Sequence, residues 1–342
     1  MGESRFQALR RWLCGTCVAL VFGAGAASAQ NVDEARIQAL TRAHAAVVGV
    51  ESTAVEGALS AETLGPERRG SGVLIDADGL VLTIGYLILE AEQVDIIVEG
   101  QRRLPARVIA YDLATGFGLL QSLAPVKVAP APLGQSAGLK ANEPLMIASG
   151  GEASAVSLAR LATSRPFSGY WEYHIEAALF TTPPRPDHSG AGLFNAEGEL
   201  MGIGSLVVAD AAGPGAPRLP GNMFVPVDLL KPILAELRER GASAASRRAW
   251  LGVNCIEQEG GIVRVVRVSR DSPAEQAGIE PGDRIVRIDG TEVGSLESFY
   301  KSLWRDGAER EVKLEIRRAG RSQQITAQTA DRAKTLRRPQ GI

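Results

Sequence analysis

Apolar and polar positions alternate over short distances through much of the chain. Between residues 47 and 208, runs rich in Val, Ile and Leu are separated by turns that contain Gly, Asp or Asn. The stretch "GVLIDADGLVLT" shows the pattern clearly, because two apolar runs flank the dipeptide Asp78-Gly79, which is typical of a hairpin turn. Short, evenly spaced strands of this kind predict an all-β sandwich or barrel.

Helical spacing is confined to a few segments. Apolar residues recur at helical intervals in 33–46, before the first predicted strand. The stretch "VPVDLLKPILAELRERG" predicts a second helix, with Asp228 as its N-cap and Gly241 as its stop. After a predicted linker at 242–249, strands alternate with the capped helix "SPAEQAG" and the amphipathic helix "SLESFYKSLW". The region from Trp250 is therefore predicted to be a separate α+β domain.

The first 29 residues have the features of an export signal. A basic start and the apolar run "WLCGTCVALVFGAGA" precede "ASA", a suitable cleavage site before Gln30. The run is short for a membrane span, and an uncleaved anchor is the alternative. We expect cleavage after Ala29, a periplasmic location, and Cys255 as the one cysteine left, so that no internal disulfide forms. The basic, Pro-containing tail at 329–342 is predicted to be flexible.

Composition excludes several classes of function. The 342 residues suffice for two or three domains, and the formal net charge of −2 argues against a nucleic-acid-binding protein. Three scattered histidines do not form a zinc site, and the glycine-rich stretches lack a phosphate-loop pattern. We therefore expect no metal and no cofactor.

Two sets of motifs resemble known families. The stretches "RGSGVLIDADGLVLT", "RVIAYDLATGFGLL", "HSGAGLFNAEGELMGIGS" and "GNMFVPVDLLKPIL" resemble the HtrA/Deg family of exported serine proteases. The stretch "SPAEQAGIEPGDRIVRIDG" resembles a PDZ domain. The resemblance implies a mostly β chain, in which a trypsin-like double six-stranded β-barrel is followed by an α+β PDZ domain. The implied division is a signal peptide at 1–29, a helical segment at 30–46, the protease-type domain at 47–241, a linker at 242–249, the PDZ domain at 250–328 and a tail at 329–342.

The resemblance also implies a degenerate catalytic triad. Ser189 stands at the nucleophile position, but Tyr86 stands at the histidine position and Gly116 at the aspartate position. A serine hydroxyl needs a neighbouring base, and a neutral phenol is a poor proton acceptor. Asp187 replaces the glycine of the oxyanion region, next to His188, so we expect its charge to oppose the oxyanion of the transition state.

Other histidines offer only weak substitutes for the missing base. His188 is adjacent to Ser189, and neighbouring side chains of an extended segment point to opposite faces. His174 lies in a predicted strand, and a rearranged dyad of Ser189 with His174 stays open. His44 precedes the first barrel strand, where we expect a structural or surface role.

The predicted PDZ domain retains a peptide-binding pattern. Such domains add a peptide as a strand and hold its terminal carboxylate with backbone N–H groups. The stretch "WLGV" matches the carboxylate-binding loop, and a glycine in it permits close approach to a ligand. The predicted peptide-binding residues are Trp250, Leu251, Gly252, Val253, Phe299 and Leu303. The alternative is that "WLGV" is only the first strand of the domain and that Phe299 and Leu303 are ordinary core.

The sequence favours an HtrA-like pseudoprotease of protein quality control. It would bind peptide C-termini or misfolded proteins, and it could modulate active HtrA-type relatives by co-assembly or form homo-oligomers. One alternative is an active serine endopeptidase that uses Ser189 with a non-standard base. Another is an adaptor protein of the cell envelope.

Overall fold

The structure, a computed structural model, describes residues 33–98, 101–152 and 154–337. The predicted signal peptide at 1–29 lies outside the described residues. Helix α1 occupies 33–45, as its apolar spacing predicts, and leads into the first strand. Among the described residues, no helix is both long enough and apolar enough to cross a membrane.

The first half of the protease-type domain is a closed, antiparallel six-stranded barrel. Its strands follow the order β1-β2-β3-β6-β5-β4. The short helix α2, Ala61–Leu64, precedes β2, and the predicted turn at Asp78-Gly79 joins β2 to β3. The strands are β1 Val47–Ala54, β2 Glu67–Leu74, β3 Leu80–Ile84, β4 Ala91–Val98, β5 Arg102–Tyr111 and β6 Phe117–Ser122.

The second half is another closed barrel with the order β10-β11-β12-β9-β8-β7. Its strands are β7 Pro144–Ser149, β8 Ala155–Gly169, β9 Tyr173–Thr182, β10 Gly192–Phe194, β11 Leu200–Val208 and β12 Gly221–Pro226. One apolar cluster extends through both barrels, from Val73 and Leu119 in the first to Phe180 and Ile203 in the second. The predicted trypsin-like double barrel is therefore confirmed.

The helix after the second barrel is shorter than predicted. Helix α3 spans Leu234–Arg240, and Gly241 ends it with a φ of +78°. Asp228 is not its N-cap, because Pro232 interrupts the segment and cannot donate a helical hydrogen bond. The Asp228 carboxylate instead accepts a hydrogen bond from the backbone N–H of Ala137 at 2.8 Å.

The linker at 242–249 is fixed to the first barrel by Asp112. This fully buried carboxylate accepts hydrogen bonds from the hydroxyls of Ser243 and Ser246, both at 2.5 Å, and from Thr115. Burial acts to raise the pKa of Asp112, but these hydrogen bonds together hold it below its usual value. The turn after β5 and the linker are thus joined around one ionised side chain.

The C-terminal domain has its own sheet and core, which confirms the predicted PDZ fold. Its strands are β13 Ala249–Trp250, β14 Val253–Gln258, β15 Ile262–Val268, β16 Arg284–Ile288, β17 Thr291–Glu292, β18 Glu311–Arg318, β19 Arg321–Gln328 and β20 Ala330–Asp331. Its helices are α4 Pro273–Gln276, α5 Leu296–Leu303 and α6 Arg332–Thr335. The main sheet has the order β14-β15-β16-β18-β19, so β14 lies at an edge.

Over 329–337 the tail differs from the flexible segment predicted at 329–342, whose last five residues lie outside the described residues. Over 329–337 it forms β20, which pairs with β13, and then α6. The backbone N–H of Arg337 donates to the Glu90 carboxylate of the first barrel at 2.8 Å. The chain is ordered here because its polar groups find partners on both domains.

Candidate functional site

The loop that carries Ser189 packs tightly between the two barrels. The Ser189 carbonyl accepts a hydrogen bond from the N–H of Ser71 at 2.8 Å, and the N–H of Gly190 donates to the Gly204 carbonyl at 2.9 Å. Gly190 has a φ of +75°, and a Cβ there would lie 1.8 Å from the Ser71 carbonyl oxygen. Only glycine suits this position, so the loop and its serine are held in one place.

Tyr86 contacts Ser189 directly. After β3, a 3₁₀ turn at Gly85–Leu87 carries Tyr86 toward the nucleophile loop. Its phenol oxygen lies 2.8 Å from Ser189 Oγ and 2.8 Å from the Ser205 carbonyl oxygen. A carbonyl only accepts, so the phenol proton is directed to Ser205, and the Ser189 hydroxyl is left to donate to Tyr86.

The phenol is held in its neutral form. Burial raises the pKa of Tyr86 to about 12, although the hydrogen bond with Ser189 acts in the opposite direction. At neutral pH such a group is ionised in about one molecule in 10⁵. The group that accepts the hydrogen bond of the Ser189 hydroxyl is therefore a neutral phenol, which is a poor proton acceptor.

Gly116 offers no carboxylate and little room for one. It has a φ of +82°, and its carbonyl accepts a hydrogen bond from the N–H of Gly85 at 2.7 Å. A Cβ at Gly116 would lie 3.2 Å from the hydroxyl oxygen of Tyr173, which itself donates to the Thr115 carbonyl. A side chain at this position would be strained and would press against the Tyr173 ring.

The three histidines have other partners. His188 Nδ1 lies 2.9 Å from the Pro186 carbonyl oxygen, and His44 Nε2 lies 3.1 Å from Ser154 Oγ. His174 Nδ1 lies 2.9 Å from Ser168 Oγ. Within the described residues no hydrogen bond joins a histidine to Ser189. The rearranged dyad of Ser189 with His174 is therefore wrong, because β9 turns His174 toward Ser168 on the paired strand.

Asp187 is compensated, contrary to the prediction that its charge opposes an oxyanion. Its carboxylate forms an ion pair with Arg185, with Arg185 Nε 2.9 Å from Asp187 Oδ1, and accepts a hydrogen bond from Ser149. Burial acts to raise the pKa of Asp187, but these two partners hold it below its usual value. The buried Arg185 side chain also donates to the Ile147 carbonyl at 3.0 Å. The negative charge is thus directed at a cation in the same loop.

A cleft lies beside Ser189, at the surface where the two barrels meet. Its volume is about 250 Å³, and residues of both barrels line it, among them Arg69, Ile97, Gly150 and Asp187. A protein side chain fits a space of this size. The cleft therefore remains where a protease-type fold would receive its substrate.

The predicted carboxylate-binding loop of the PDZ domain holds a carboxylate of the same chain. The N–H groups of Leu251, Gly252 and Val253 donate to the Glu172 carboxylate at 3.2, 2.7 and 2.9 Å. Gly252 has a φ of +85°, and a Cβ there would lie 2.3 Å from the Ser272 Cβ. The loop thus has the backbone arrangement that carboxylate binding requires.

The apolar residues predicted to line the peptide pocket lie mostly in the core. Phe299 and Leu303 of α5 are fully buried, as is Leu251. These side chains belong to the same apolar cluster as Val253 of β14. Trp250 is half-buried in β13, which pairs with β20. The structure therefore favours the alternative for Phe299 and Leu303, in which these side chains are ordinary core.

One group of side chains in the described part of the chain has metal-ligand spacing. Ligand atoms of His174, Glu176 and Glu297 lie within 4.8 Å of one another. However, the Lys301 ammonium lies 2.8 Å from Glu176 and 2.6 Å from Glu297. The two carboxylates already share a cation, which leaves this group an ion-pair cluster between β9 and α5.

Sequence reasoning missed Glu172 and Arg185. A lone acidic residue in a turn carries no sequence signal for a partner about 80 positions away. Arg185 stands two residues before Asp187, and that spacing on an extended loop was the one available hint of the pair.

Comparisons with known proteins agree with this architecture. A trypsin-like peptidase domain model matches residues 70–203, and a PDZ domain model matches residues 249–329. A putative serine protease HhoA from Synechocystis sp. is 30% identical over 301 residues, which cover 77% of this chain and 72% of that protein. A probable periplasmic serine endoprotease DegP-like from Hahella chejuensis is 26% identical over 289 residues, which cover 74% of this chain and 55% of that protein. The chain thus spans about half the length of the DegP-like relatives it matches.

Solved structures show the same fold. The HtrA-type protease AlgW with a decapeptide superimposes with a TM-score of 0.53 at 21% identity, over 89% of this chain and 99% of the other. A serine endoprotease from Yersinia pestis gives a TM-score of 0.51 at 22% identity, over 86% and 97%. With two matching domain models in the family's order and a relative at 30% identity, this chain belongs to the HtrA/Deg family of trypsin-like serine proteases with a PDZ domain.

Proposed function

We propose that this chain is a catalytically inactive HtrA-like protein that binds peptide C-termini or unfolded proteins through its PDZ domain. The observation that carries the proposal is the contact between Ser189 and Tyr86. A neutral phenol stands where the family's mechanism needs an imidazole, with an oxygen-to-oxygen distance of 2.8 Å. The serine is present, but the group that would accept its proton is a weak base.

The expected loss of activity is large. Loss of the serine or the histidine of a catalytic triad costs about 10⁶ in turnover. Binding and oxyanion stabilisation alone retain about 10³–10⁴ over the reaction in water. Gly116 has no side-chain carboxylate that could orient a base, so this position does not offset the loss of turnover.

Peptide binding is supported by the PDZ fold and by its converging N–H groups. The chain is similar in fold to AlgW, a protease solved with a decapeptide and with a tripeptide. Several relatives are named periplasmic, and together with the signal-like segment 1–29 this supports export to the periplasm. Homo-oligomers and co-assembly with active relatives remain part of the proposal.

A paired assay separates this proposal from an active protease. The mature protein and its Ser189→Ala variant are incubated with unfolded casein and with a fluorophosphonate probe, beside an active HtrA-type protease. We expect neither form to cleave casein or to be labelled. Cleavage or labelling that disappears in Ser189→Ala would refute inactivity and establish the endopeptidase alternative.

A peptide panel separates peptide binding from a purely structural adaptor role. Peptides with a free C-terminal carboxylate are compared with the same peptides carrying a C-terminal amide. We expect binding that depends on the carboxylate. If the free acids and the amides behave alike, carboxylate recognition by the PDZ domain is wrong.

A further inference from the structure

The hairpin between β8 and β9 reaches from the second barrel into the PDZ domain. Its turn consists of Tyr170, Trp171 and Glu172. The Glu172 carboxylate accepts three backbone hydrogen bonds from the loop before β14, at distances of 2.7–3.2 Å. Converging N–H groups of this kind hold the terminal carboxylate of a peptide in PDZ domains. A side-chain carboxylate of the same chain occupies that place here.

The hairpin also contacts the strand and the helix that flank the loop. Cys255 of β14 donates its backbone N–H to the Tyr170 carbonyl at 2.8 Å. Tyr300 of α5 donates its hydroxyl to the Gly169 carbonyl at 2.8 Å. Because β14 is the edge strand of its sheet, an added peptide would use the same backbone groups. The hairpin thus covers both the carboxylate loop and part of the strand edge.

The backbone of Glu172 is in a conformation that suits glycine better. Its φ is +57°, at the left-handed position of a three-residue hairpin turn, where glycine is usual. A side chain at such a position costs conformational energy that glycine avoids. The turn therefore gains nothing from a glutamate, whereas the contact with the PDZ loop uses its carboxylate fully.

The docked Glu172 carboxylate is almost completely buried. Burial raises the pKa of Glu172, although the three N–H groups and the charge of Arg332 act in the opposite direction. A raised pKa means that the docked site holds the ionised form less well than water does. When Glu172 withdraws, its carboxylate regains hydration, and an incoming peptide carboxylate takes over the three N–H groups.

We propose that the β8–β9 hairpin is an internal ligand of the PDZ domain, and that peptides with a free C-terminal carboxylate bind only when it withdraws. The inference rests on the peptide binding proposed above, and it adds how that site is regulated. The apparent affinity for a peptide is then reduced in proportion to the fraction of molecules whose hairpin is withdrawn. Withdrawal also separates Glu176 of β9 from Lys301 of α5, which are 2.8 Å apart, so peptide binding loosens the PDZ domain from the second barrel.

Three variants of the full chain test the internal ligand. Glu172→Gly removes the carboxylate and relieves the left-handed strain, so the hairpin itself should fold at least as well. Glu172→Gln keeps the size of the side chain and removes its charge. Glu259→Gln is the matched control, because Glu259 is an exposed residue of the PDZ domain outside these contacts.

Two measurements are made on each variant. Hydrogen–deuterium exchange without peptide reports the protection of the amides at 251–253. Fluorescence anisotropy reports the binding of labelled decapeptides that end in Val, Phe or Ala, as free acids and as amides. For Glu172→Gly we expect loss of amide protection and binding of the free acids about tenfold tighter or more. We expect Glu172→Gln to change in the same direction and Glu259→Gln to match the unchanged protein.

The outcomes distinguish the inference from the proposed function. Unchanged protection and unchanged affinity in both Glu172 variants would overturn the internal ligand. Loss of protection without free-acid binding by any variant would support the internal ligand and refute the proposed peptide binding. An equal gain of affinity in Glu259→Gln would assign the effect to overall charge and would also overturn the inference.

Discussion

The substitution Tyr86→Phe removes a single oxygen and tests whether Tyr86 has a purely structural role or acts as an unconventional base. In Tyr86→Phe the ring still fills its place, but the Ser205 carbonyl, which lies in a buried residue, loses its donor. Leaving a buried polar group without a partner costs about 1–3 kcal/mol of stability. For a domain of this size, that corresponds to a fall in melting temperature of about 2–4 °C per kcal/mol.

A double-mutant cycle with Ser189→Ala isolates the contact between the two hydroxyls. Ser189→Ala alone should cost less, within about 1 kcal/mol, because the phenol can still donate to Ser205. The coupling energy between the two substitutions should be about 0.5–1.5 kcal/mol, the net value of one neutral hydrogen bond. Urea unfolding, followed by near-ultraviolet circular dichroism, gives all four stabilities.

The same variants distinguish the two roles of Tyr86. If the role of Tyr86 is structural, Tyr86→Phe loses stability and fluorophosphonate labelling does not change, because the unchanged protein is not labelled either. A base predicts that labelling is present and disappears in Tyr86→Phe. Unchanged stability in Tyr86→Phe, together with zero coupling, would refute the hydrogen-bond arrangement on which the reasoning depends.

Two further substitutions test the frame around the site. Gly190→Ala places a Cβ 1.8 Å from the Ser71 carbonyl oxygen. Calorimetry should therefore show a far larger loss of stability than for the control Gly215→Ala, because Gly215 has a similar φ of +77° but no atom close to the added Cβ. Equal losses would mean that packing at Gly190 is unimportant. The lowered pKa of Asp112 means that its ionised form stabilises the fold above its ordinary pKa of about 3.9 and that this contribution fades as the pH falls below it. Asp112→Asn should therefore lower stability at pH 7 and flatten the acid part of the stability profile, whereas an unchanged profile would contradict the linkage.

The barrels and the PDZ sheet follow from local patterns that the sequence displays. Alternating apolar positions and the Asp78-Gly79 turn specify a hairpin within a dozen residues, and the short helix of "SPAEQAG" is likewise specified by residues close together in the chain. Ser189 and Tyr86 were also located, because each lies in a short motif at a fixed spacing. Their mutual hydrogen bond, between residues 103 positions apart, required the fold.

The features that sequence reasoning missed depend on pairings between distant segments or on a change of direction in a loop. Asp187 was expected to face an oxyanion, but the loop turns it toward Arg185 and Ser149. The tail was expected to be flexible, since its composition is basic and polar, yet its residues 330–331 pair with β13 and Arg337 donates to Glu90. Composition describes a segment alone, whereas order depends on which partners the rest of the fold presents.

Two adjacent residues of the β8–β9 hairpin contact two different parts of the molecule, the turn at Gly116 and the carboxylate loop of the PDZ domain. Tyr173 follows Glu172 directly, and its hydroxyl donates to the Thr115 carbonyl beside Gly116. A Cβ at Gly116 would lie 3.2 Å from the Tyr173 hydroxyl oxygen, so the turn at Gly116 packs closely against the hairpin. The residue before Tyr173, Glu172, places its carboxylate in the PDZ loop, so the packing of Tyr173 would also position the proposed internal ligand. Two adjacent side chains thus connect the turn at Gly116 to the carboxylate loop of the PDZ domain.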